Sequence, residues 1–206
     1  MSAAATYCYT RLKAGERNWQ PLFDRLRSAT LPRLADSGVE LWGAWSGLFG
    51  IGSNELVLMT SADARLNHPA LLAAHFADAP ASIVEQHLLA PTVRPVDARP
   101  LTRPGLYVFR FFEVDNADVA EIAQLSLEAW TTFESTQTYR AEPQGLFCQH
   151  ERDATRGIML LCTWYDGLES WQRSREPPAA AAENFRRRHA LTHGTIAYAT
   201  RLIPTA

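Results

Sequence analysis

The sequence predicts an α+β fold built from two copies of a βαββαβ unit, bounded at residues 1–98 and 99–206. Three observations support this prediction. The same order of strand-like and helix-like segments occurs twice in the chain. Matching residues of the two copies lie about 100 positions apart, which is the mark of an internal repeat. A segment with three prolines, residues 95–104, separates the copies and is typical of an extended linker.

The first copy has four strand-like segments with alternating or continuous apolar residues, and two helical ones between them. Asn18 is suited to begin a helix whose apolar residues follow the 3, 4, 7 spacing of one face. Pro32 should split this helix near its end, because proline lacks an amide donor and clashes with the preceding turn. Pro69 fits the first turn of the second helix. The predicted strands are residues 7–13, 39–49, 55–61 and 87–94.

The second copy repeats this order. Asp118 begins a helix that extends to Phe133, and the stretch 168–193 is helical but broken at Pro177 and Pro178. The predicted strands are residues 106–114, 139–150, 158–165 and 195–203.

Individual residues of the first copy match residues of the second. The matched pairs are Gly47-Leu48-Phe49 with Gly145-Leu146-Phe147, Thr60 with Thr163, Asp63 with Asp166, and Arg11 with Arg110. A βαββαβ unit forms a four-stranded antiparallel sheet with both helices on one face. The other face needs a cover, and the second copy can provide it. The sequence therefore predicts two sheets packed into one barrel with the helices outside.

Several stretches of the first copy resemble the NIPSNAP family, which belongs to the dimeric α+β barrel group with ferredoxin-like repeats. The matching stretches are Arg11 to Gly15, Leu22-Phe23, Leu31-Pro32, Trp42-Gly43-Ala44-Trp45 and Asn54-Glu55-Leu56-Val57. The chain departs from the family at Ala14, where a proline is usual. Leu58 and Leu161 also stand where such proteins often have a histidine.

The resemblance implies a barrel protein with a cavity for a small molecule. The leading hypothesis is therefore a NIPSNAP-like binding protein whose activity, if any, the sequence does not decide. One alternative is a cofactor-independent monooxygenase or isomerase that acts on a planar organic acid. The other is a non-catalytic structural or interaction protein with a filled barrel.

Composition narrows the classes of partner. The formal net charge of −2 offers no general attraction to nucleic acid, and no apolar run is long enough for a membrane span. Three cysteines without a CxxC spacing suggest reduced thiols and a cytoplasmic location. Lys13 is the only lysine among 20 basic residues, a bias that suggests a bacterial genome. Whether the chain forms a homo-oligomer is left open.

Strand alternation supplies the candidate ligand-binding residues. It places Tyr7, Tyr9 and Arg11 on one face of the first strand, with Cys8, Thr10 and Leu12 under the helices. The match of Arg11 with Arg110 then directs Val108, Arg110 and Phe112 inward in the second copy. Trp45 and Trp164 can stack on a planar ligand, and an inward arginine can hold its carboxylate. The alternative is a solvated arginine paired with a local acid such as Glu113.

The histidines give weaker signals. His150 is a candidate general base beside Glu151, although neighbours on a strand face opposite ways. His189 and His193 have helical metal-ligand spacing, but three adjacent arginines would repel a cation. No nucleotide, flavin or nicotinamide motif is present. We therefore expect no metal and no cofactor.

Overall fold

The computed structural model describes residues 5–205 and contains eight strands and six α-helices in this range. The strands are β1 (Ala5–Ala14), β2 (Val39–Phe49), β3 (Glu55–Asp63), β4 (Ala81–Arg94), β5 (Leu106–Asp115), β6 (Ala141–Gln149), β7 (Arg156–Tyr165) and β8 (Thr192–Leu202). The helices are α1 (Gln20–Arg25), α2 (Leu31–Asp36), α3 (His68–Phe76), α4 (Val119–Phe133), α5 (Leu168–Arg173) and α6 (Ala179–Ala190). A π-helical turn (Leu26–Thr30) joins α1 to α2, and a short 3-10 helix (Asn116–Asp118) precedes α4.

The predicted fold class is confirmed. Both repeats have the order βαββαβ, and the strands are hydrogen-bonded in the closed order β1-β3-β2-β8-β5-β7-β6-β4. Within each repeat the fourth strand lies beside the first, followed by the third and the second. This is the arrangement that a ferredoxin-like unit requires.

Two compact units result, and each contains strand residues from both repeats. The described part of unit 1 comprises residues 5–90, 98–104 and 199–205, and unit 2 comprises residues 91–97 and 105–198. β4 and β8 each begin in one unit and end in the other. The compact units thus differ from the sequence repeats, and the boundary predicted between the repeats after residue 98 stays a prediction.

Proline and asparagine determine where the helices of the first repeat begin. Asn18 Oδ1 accepts a hydrogen bond from the backbone N–H of Gln20 (3.0 Å), and α1 starts there. The helix widens into the π-helical turn directly before Leu31-Pro32, where α2 begins. Proline is tolerated in a first turn, so the split predicted at Pro32 is confirmed. The predicted place of Pro69 in the first turn of the second helix is also confirmed: α3 begins at His68, and Asn67 Oδ1 caps it at the N–H of Ala70 (3.2 Å).

A β-bulge occurs at the same place in both hairpins and corrects one of the residue matches. In β2 the register shifts just before Gly43, and in β6 just before Gly145. Gly43 and Gly145 each lie beneath an aromatic ring two residues later, that of Trp45 and that of Phe147. Gly145-Leu146-Phe147 is therefore equivalent to Gly43-Ala44-Trp45 and not to Gly47-Leu48-Phe49. The first repeat contains the Gly-x-aromatic pattern twice, at the bulge and again four residues later. The residue match used the second occurrence, whereas the bulge shows that the first is the equivalent one.

The core of unit 1 lies between its sheet and α1, α2 and α3. Cys8 and Leu12 of β1 pack there against Leu22, Phe23 and Leu34 of the helices. The face of β1 that carries Cys8, Thr10 and Leu12 is thus the helix-covered face, as predicted.

Unit 2 has longer helices, and α4 and α6 pack against each other. The break predicted at Pro177 and Pro178 lies between α5 and α6, but the helical stretch predicted up to residue 193 ends earlier, since β8 begins at Thr192 and includes His193. Within residues 5–205 none of the helices has the length and apolar character needed to cross a bilayer.

Candidate functional site

The pairing of β5 decides which way Arg110 faces. Arg110 is opposite Leu161 on β7, just as Thr10 is opposite Leu58 on β3. Arg110 is therefore equivalent to Thr10, on the helix-covered face, whereas Arg11 is equivalent to Phe111. The predicted match of Arg11 with Arg110 is wrong by one residue. Because side chains alternate along a strand, this error reversed the predicted orientation of Val108, Arg110 and Phe112.

In unit 2 these side chains line a cavity of about 350 Å³ between the sheet and the helices. This volume is within the range of small-molecule sites. Its main apolar residues are Val108, Phe112, Trp130, Phe133, Leu161 and Phe185. Its main polar residues are Arg110, Thr163, Tyr165, Ser174, Arg175 and Arg188. Arg175 and His189, which also line the cavity, are exposed and mark its open side.

Arg110 is partly buried in this cavity and lacks a counter-ion within the part of the chain that the structure describes. No described side chain forms an ion pair or a hydrogen bond with its guanidinium, and no aspartate or glutamate is among the described lining residues. Burial lowers the pKa of Arg110, and the positive charge of Arg175 lowers it further. Glu113, the acid considered from the sequence, lies on the other face of β5. The cavity therefore contains a cation without a compensating anion.

Arg188 supplies a second cation from α6. Its guanidinium lies over the rings of Phe112 (5.1 Å) and Phe185 (4.8 Å), and Nη1 donates a hydrogen bond to Ser126 Oγ (3.3 Å). Burial, followed by repulsion from Arg110, lowers the pKa of Arg188 to about 10. Arginine remains protonated at neutral pH even so. The two rings and Ser126 hold this charge at the cavity wall.

Tyr165 completes the polar wall. Burial raises the pKa of its phenol, while the neighbouring Ser174, Arg110 and Arg175 oppose that shift in part. The phenol is therefore neutral at physiological pH and can donate a hydrogen bond to a ligand oxygen.

Glu134, which follows the lining residue Phe133, already has a partner. Arg94 donates to Glu134 (Nη2–Oε2, 3.0 Å) and to the carbonyl of Pro143 (2.9 Å), and it lies over Trp130 at 4.9 Å. The Glu134 charge is consequently neutralised beside the cavity and does not compensate Arg110.

The predicted site residues of the first repeat lie elsewhere. Tyr7, Tyr9, Arg11 and Trp45 share the face of the unit 1 sheet that is turned away from its helices, as expected. The β-bulge places Trp42 on the same face. Its ring contacts the ring of Tyr7 edge to face, with 5.6 Å between the ring centroids.

Arg11 differs from Arg110 in having carboxylates close to it. It forms ion pairs with Glu55 (3.6 Å) and Glu85 (3.3 Å), and Glu85 also contacts His87 (2.9 Å). An anionic ligand would have to compete with both acids for this guanidinium.

The remaining candidates do not join the cavity. Trp164 is paired with Tyr107, so it lies on the opposite face of the sheet from Arg110. His150 is exposed in the segment after β6. His193 lies on β8 and contacts Asp115 (3.1 Å), so it does not share a helix with His189. Among residues 5–205, no three His, Cys, Asp or Glu side chains are grouped to hold a metal ion.

Four lining residues were not among the predicted site residues: Arg188, Tyr165, Ser174 and Thr163. A signal for Arg188 was available in the helical period. Ala181, Phe185 and Arg188 have the 4, 7 spacing of one helix face, and Ala181 is fully buried. The sequence obscures this signal, because Arg188 follows two arginines, Arg186 and Arg187, that are exposed.

Several solved structures are similar to this chain along nearly its whole length. An anthrone oxidase-like protein has a TM-score of 0.65 at 10% identity and covers 96% of this chain and 91% of its own. A chlorite dismutase from Candidatus Nitrospira defluvii has a TM-score of 0.63 at 8% identity, covering 100% and 93%. A proposed monooxygenase from Lactobacillus acidophilus NCFM has a TM-score of 0.58 at 10% identity, covering 98% and 95%. No family model and no curated protein matches the sequence.

The fold is that of the dimeric α+β barrel group. At 8 to 10% identity these similarities show the fold alone. The residues that line the cavity of unit 2 therefore have to be interpreted from their own chemistry.

Proposed function

We propose that this chain is a small-molecule-binding protein of the NIPSNAP type whose ligand is a planar organic acid held in the cavity of unit 2. One observation supports this proposal above the others. Arg110 places a partly buried positive charge in a cavity whose described lining contains no carboxylate. A buried cation without a partner is costly, and a ligand carboxylate would remove that cost.

The apolar lining favours a flat ligand. Phe112, Trp130 and Phe185 present aromatic rings to the same space as Arg110. Aromatic rings pack well against planar molecules, and a guanidinium can hold a carboxylate through two parallel hydrogen bonds. An aromatic carboxylate satisfies both features at once. This assignment keeps Arg110 from the predicted set of acid-binding residues, but places it in the helix-covered cavity of unit 2 and without Arg11.

The test is calorimetric titration with benzoate, and with benzamide as its neutral counterpart. A charge-assisted hydrogen bond contributes about 1.5–3 kcal/mol, so Arg110→Leu should weaken benzoate binding tenfold or more. Benzamide should bind weakly to both proteins. Arg187→Leu is the matched control, because Arg187 is exposed on α6 and lies 3.7 Å from Glu121. Equal benzoate affinity in the wild type and Arg110→Leu would contradict the proposal.

A second candidate is a cofactor-independent monooxygenase or isomerase that acts on such an acid. The observation in its favour is that Tyr165 and His189, both able to transfer protons, line the same cavity as Arg110. An isomerase only moves a proton within the substrate. Oxidation of a substrate CH2 group by O2 to a carbonyl releases one water, and therefore needs no external reductant.

Oxygen consumption with phenylacetate, an aromatic acid that carries a CH2 group, distinguishes the oxygenase from simple binding. If the chain is such an oxygenase, uptake should depend on Tyr165 and His189 and fall in Tyr165→Phe and His189→Ala. Arg187→Leu should have no effect. An uptake rate no higher than in buffer would leave ligand binding as the better assignment.

A further inference from the structure

We propose that the ligand of this cavity carries two anionic groups, one for Arg110 and one for Arg188. This inference rests on the proposed function and specifies its ligand class. Three arginines line the cavity (Arg110, Arg175 and Arg188), and the described lining contains no aspartate or glutamate to balance them. A ligand with a single carboxylate would compensate one of these charges only.

The two guanidinium groups enter the cavity from different walls. Arg110 extends from β5, while Arg188 extends from α6 and lies over Phe112. Phe112 is two residues from Arg110 on the same strand face, which is a step of about 7 Å. The two guanidinium groups therefore come from different elements that line one cavity, and a ligand between the sheet and α6 can meet both. Burial lowers the pKa of both groups; repulsion from Arg175 lowers that of Arg110 further, and repulsion from Arg110 lowers that of Arg188 further, while no carboxylate of the described residues opposes either shift.

Arg188 is also fixed in place. Ser126, which accepts its hydrogen bond, is fully buried and donates to the carbonyl of Ile122 (2.7 Å). The rings of Phe112 and Phe185 flank the guanidinium. A guanidinium held in this way is already in position before the ligand binds. Less side-chain conformational entropy is therefore lost on binding.

The experiment compares benzoate with the three benzene dicarboxylates by calorimetric titration at one ionic strength. At least one dicarboxylate should bind the wild type tenfold more tightly than benzoate. Arg188→Gln should abolish that advantage while benzoate affinity changes by less than about threefold, because the second charge-assisted contact is lost. Arg187→Gln, one residue earlier on the same helix, should retain the full advantage.

The outcomes separate the two proposals. Benzoate binding without any gain for a dicarboxylate overturns the two-anion inference and leaves the proposed function intact. Failure of benzoate and every dicarboxylate to bind overturns both. The wild-type comparison is decisive by itself if Arg188→Gln does not fold, which circular dichroism would reveal.

Discussion

Thr10 and Arg110 occupy the same position in the two repeats, each on a first strand and opposite a leucine of the third strand. Thr10 is fully buried, and Gln86 Nε2 donates to its hydroxyl at 3.3 Å. In the second repeat an arginine at this position lines a cavity. The repeats have thus diverged at the residue on which the proposed ligand depends.

Arg110 should contribute nothing favourable to folding. Replacing an uncompensated, partly buried cation by an apolar side chain is often neutral or stabilising. Arg110→Leu should therefore leave the free energy of unfolding unchanged or higher, as measured by urea denaturation without ligand. Arg94→Leu is the contrasting variant, because it leaves Glu134 unpaired and should cost about 2–3 kcal/mol. A loss of similar size in Arg110→Leu would mean that its charge has a structural partner.

His68 should make the protein sensitive to mild acid. Its ring is fully buried between Thr6 (Nδ1–Oγ1, 3.2 Å) and Thr60 (Nε2–Oγ1, 2.8 Å), and burial lowers its pKa to about 4. The unfolded chain binds a proton near pH 6.5 while the folded chain resists it until pH 4. Stability therefore falls as the pH drops through this window.

The size of this effect can be measured by urea unfolding at pH 7 and pH 5. Linkage predicts that His68 accounts for a loss of about 2 kcal/mol between these two values. His68→Gln should show a smaller loss than the wild type over the same interval. His150→Gln, which changes an exposed histidine, should reproduce the wild-type loss. Identical pH dependence in all three proteins would show that His68 is not the group responsible.

Gly43 and Gly145 should both be intolerant of a methyl group. A Cβ at Gly43 would lie 2.3 Å from the Trp45 ring, and one at Gly145 would lie 2.5 Å from the Phe147 ring. Overpacking of this kind typically costs 1–3 kcal/mol, so thermal denaturation of either alanine variant should show a clear loss. At Gly15 a Cβ would meet no atom within 4 Å, which makes Gly15→Ala the control. Equal melting temperatures for all three would contradict the bulge geometry.

The three thiols should be unreactive in the native protein. Burial raises the pKa of Cys8 to about 11, that of Cys162 well above its usual value, and that of Cys148 as well. Because the thiolate is the reactive form, Ellman's reagent at pH 8 should label none of them within minutes. Guanidinium chloride should expose all three. Rapid labelling of one thiol before denaturation would show that its strand opens locally.

The fold was predictable because apolar periodicity and proline positions are local signals. The split at Pro32, the helix at Pro69 and the alternation along β1 needed no tertiary information. The orientation of β5 did need it. The match of Arg11 with Arg110 by residue type ignored the pairing register of β5 against β7. An error of one residue in that match turns every side chain of the strand to the opposite face of the sheet.

The site was less predictable for a related reason. Tyr165 and Arg188 come from a strand and a helix that sequence patterns describe separately, and only packing brings them to one cavity. The aromatic residues around Arg11 formed a more conspicuous pattern. Nothing in the sequence showed that Glu55 and Glu85 would lie within ion-pair distance of that arginine.

The strands that begin in one unit and end in the other have a consequence for biosynthesis. The end of β8, at Ala199 to Leu202, pairs with Trp45 and its neighbours on β2. The sheet of unit 1 cannot gain this partner until the second repeat has been translated, although most of the residues of unit 1 emerge early. Contacts between such distant parts of a chain slow folding and leave a strand edge exposed in the meantime. The nascent chain is therefore most vulnerable to aggregation during the synthesis of the second repeat.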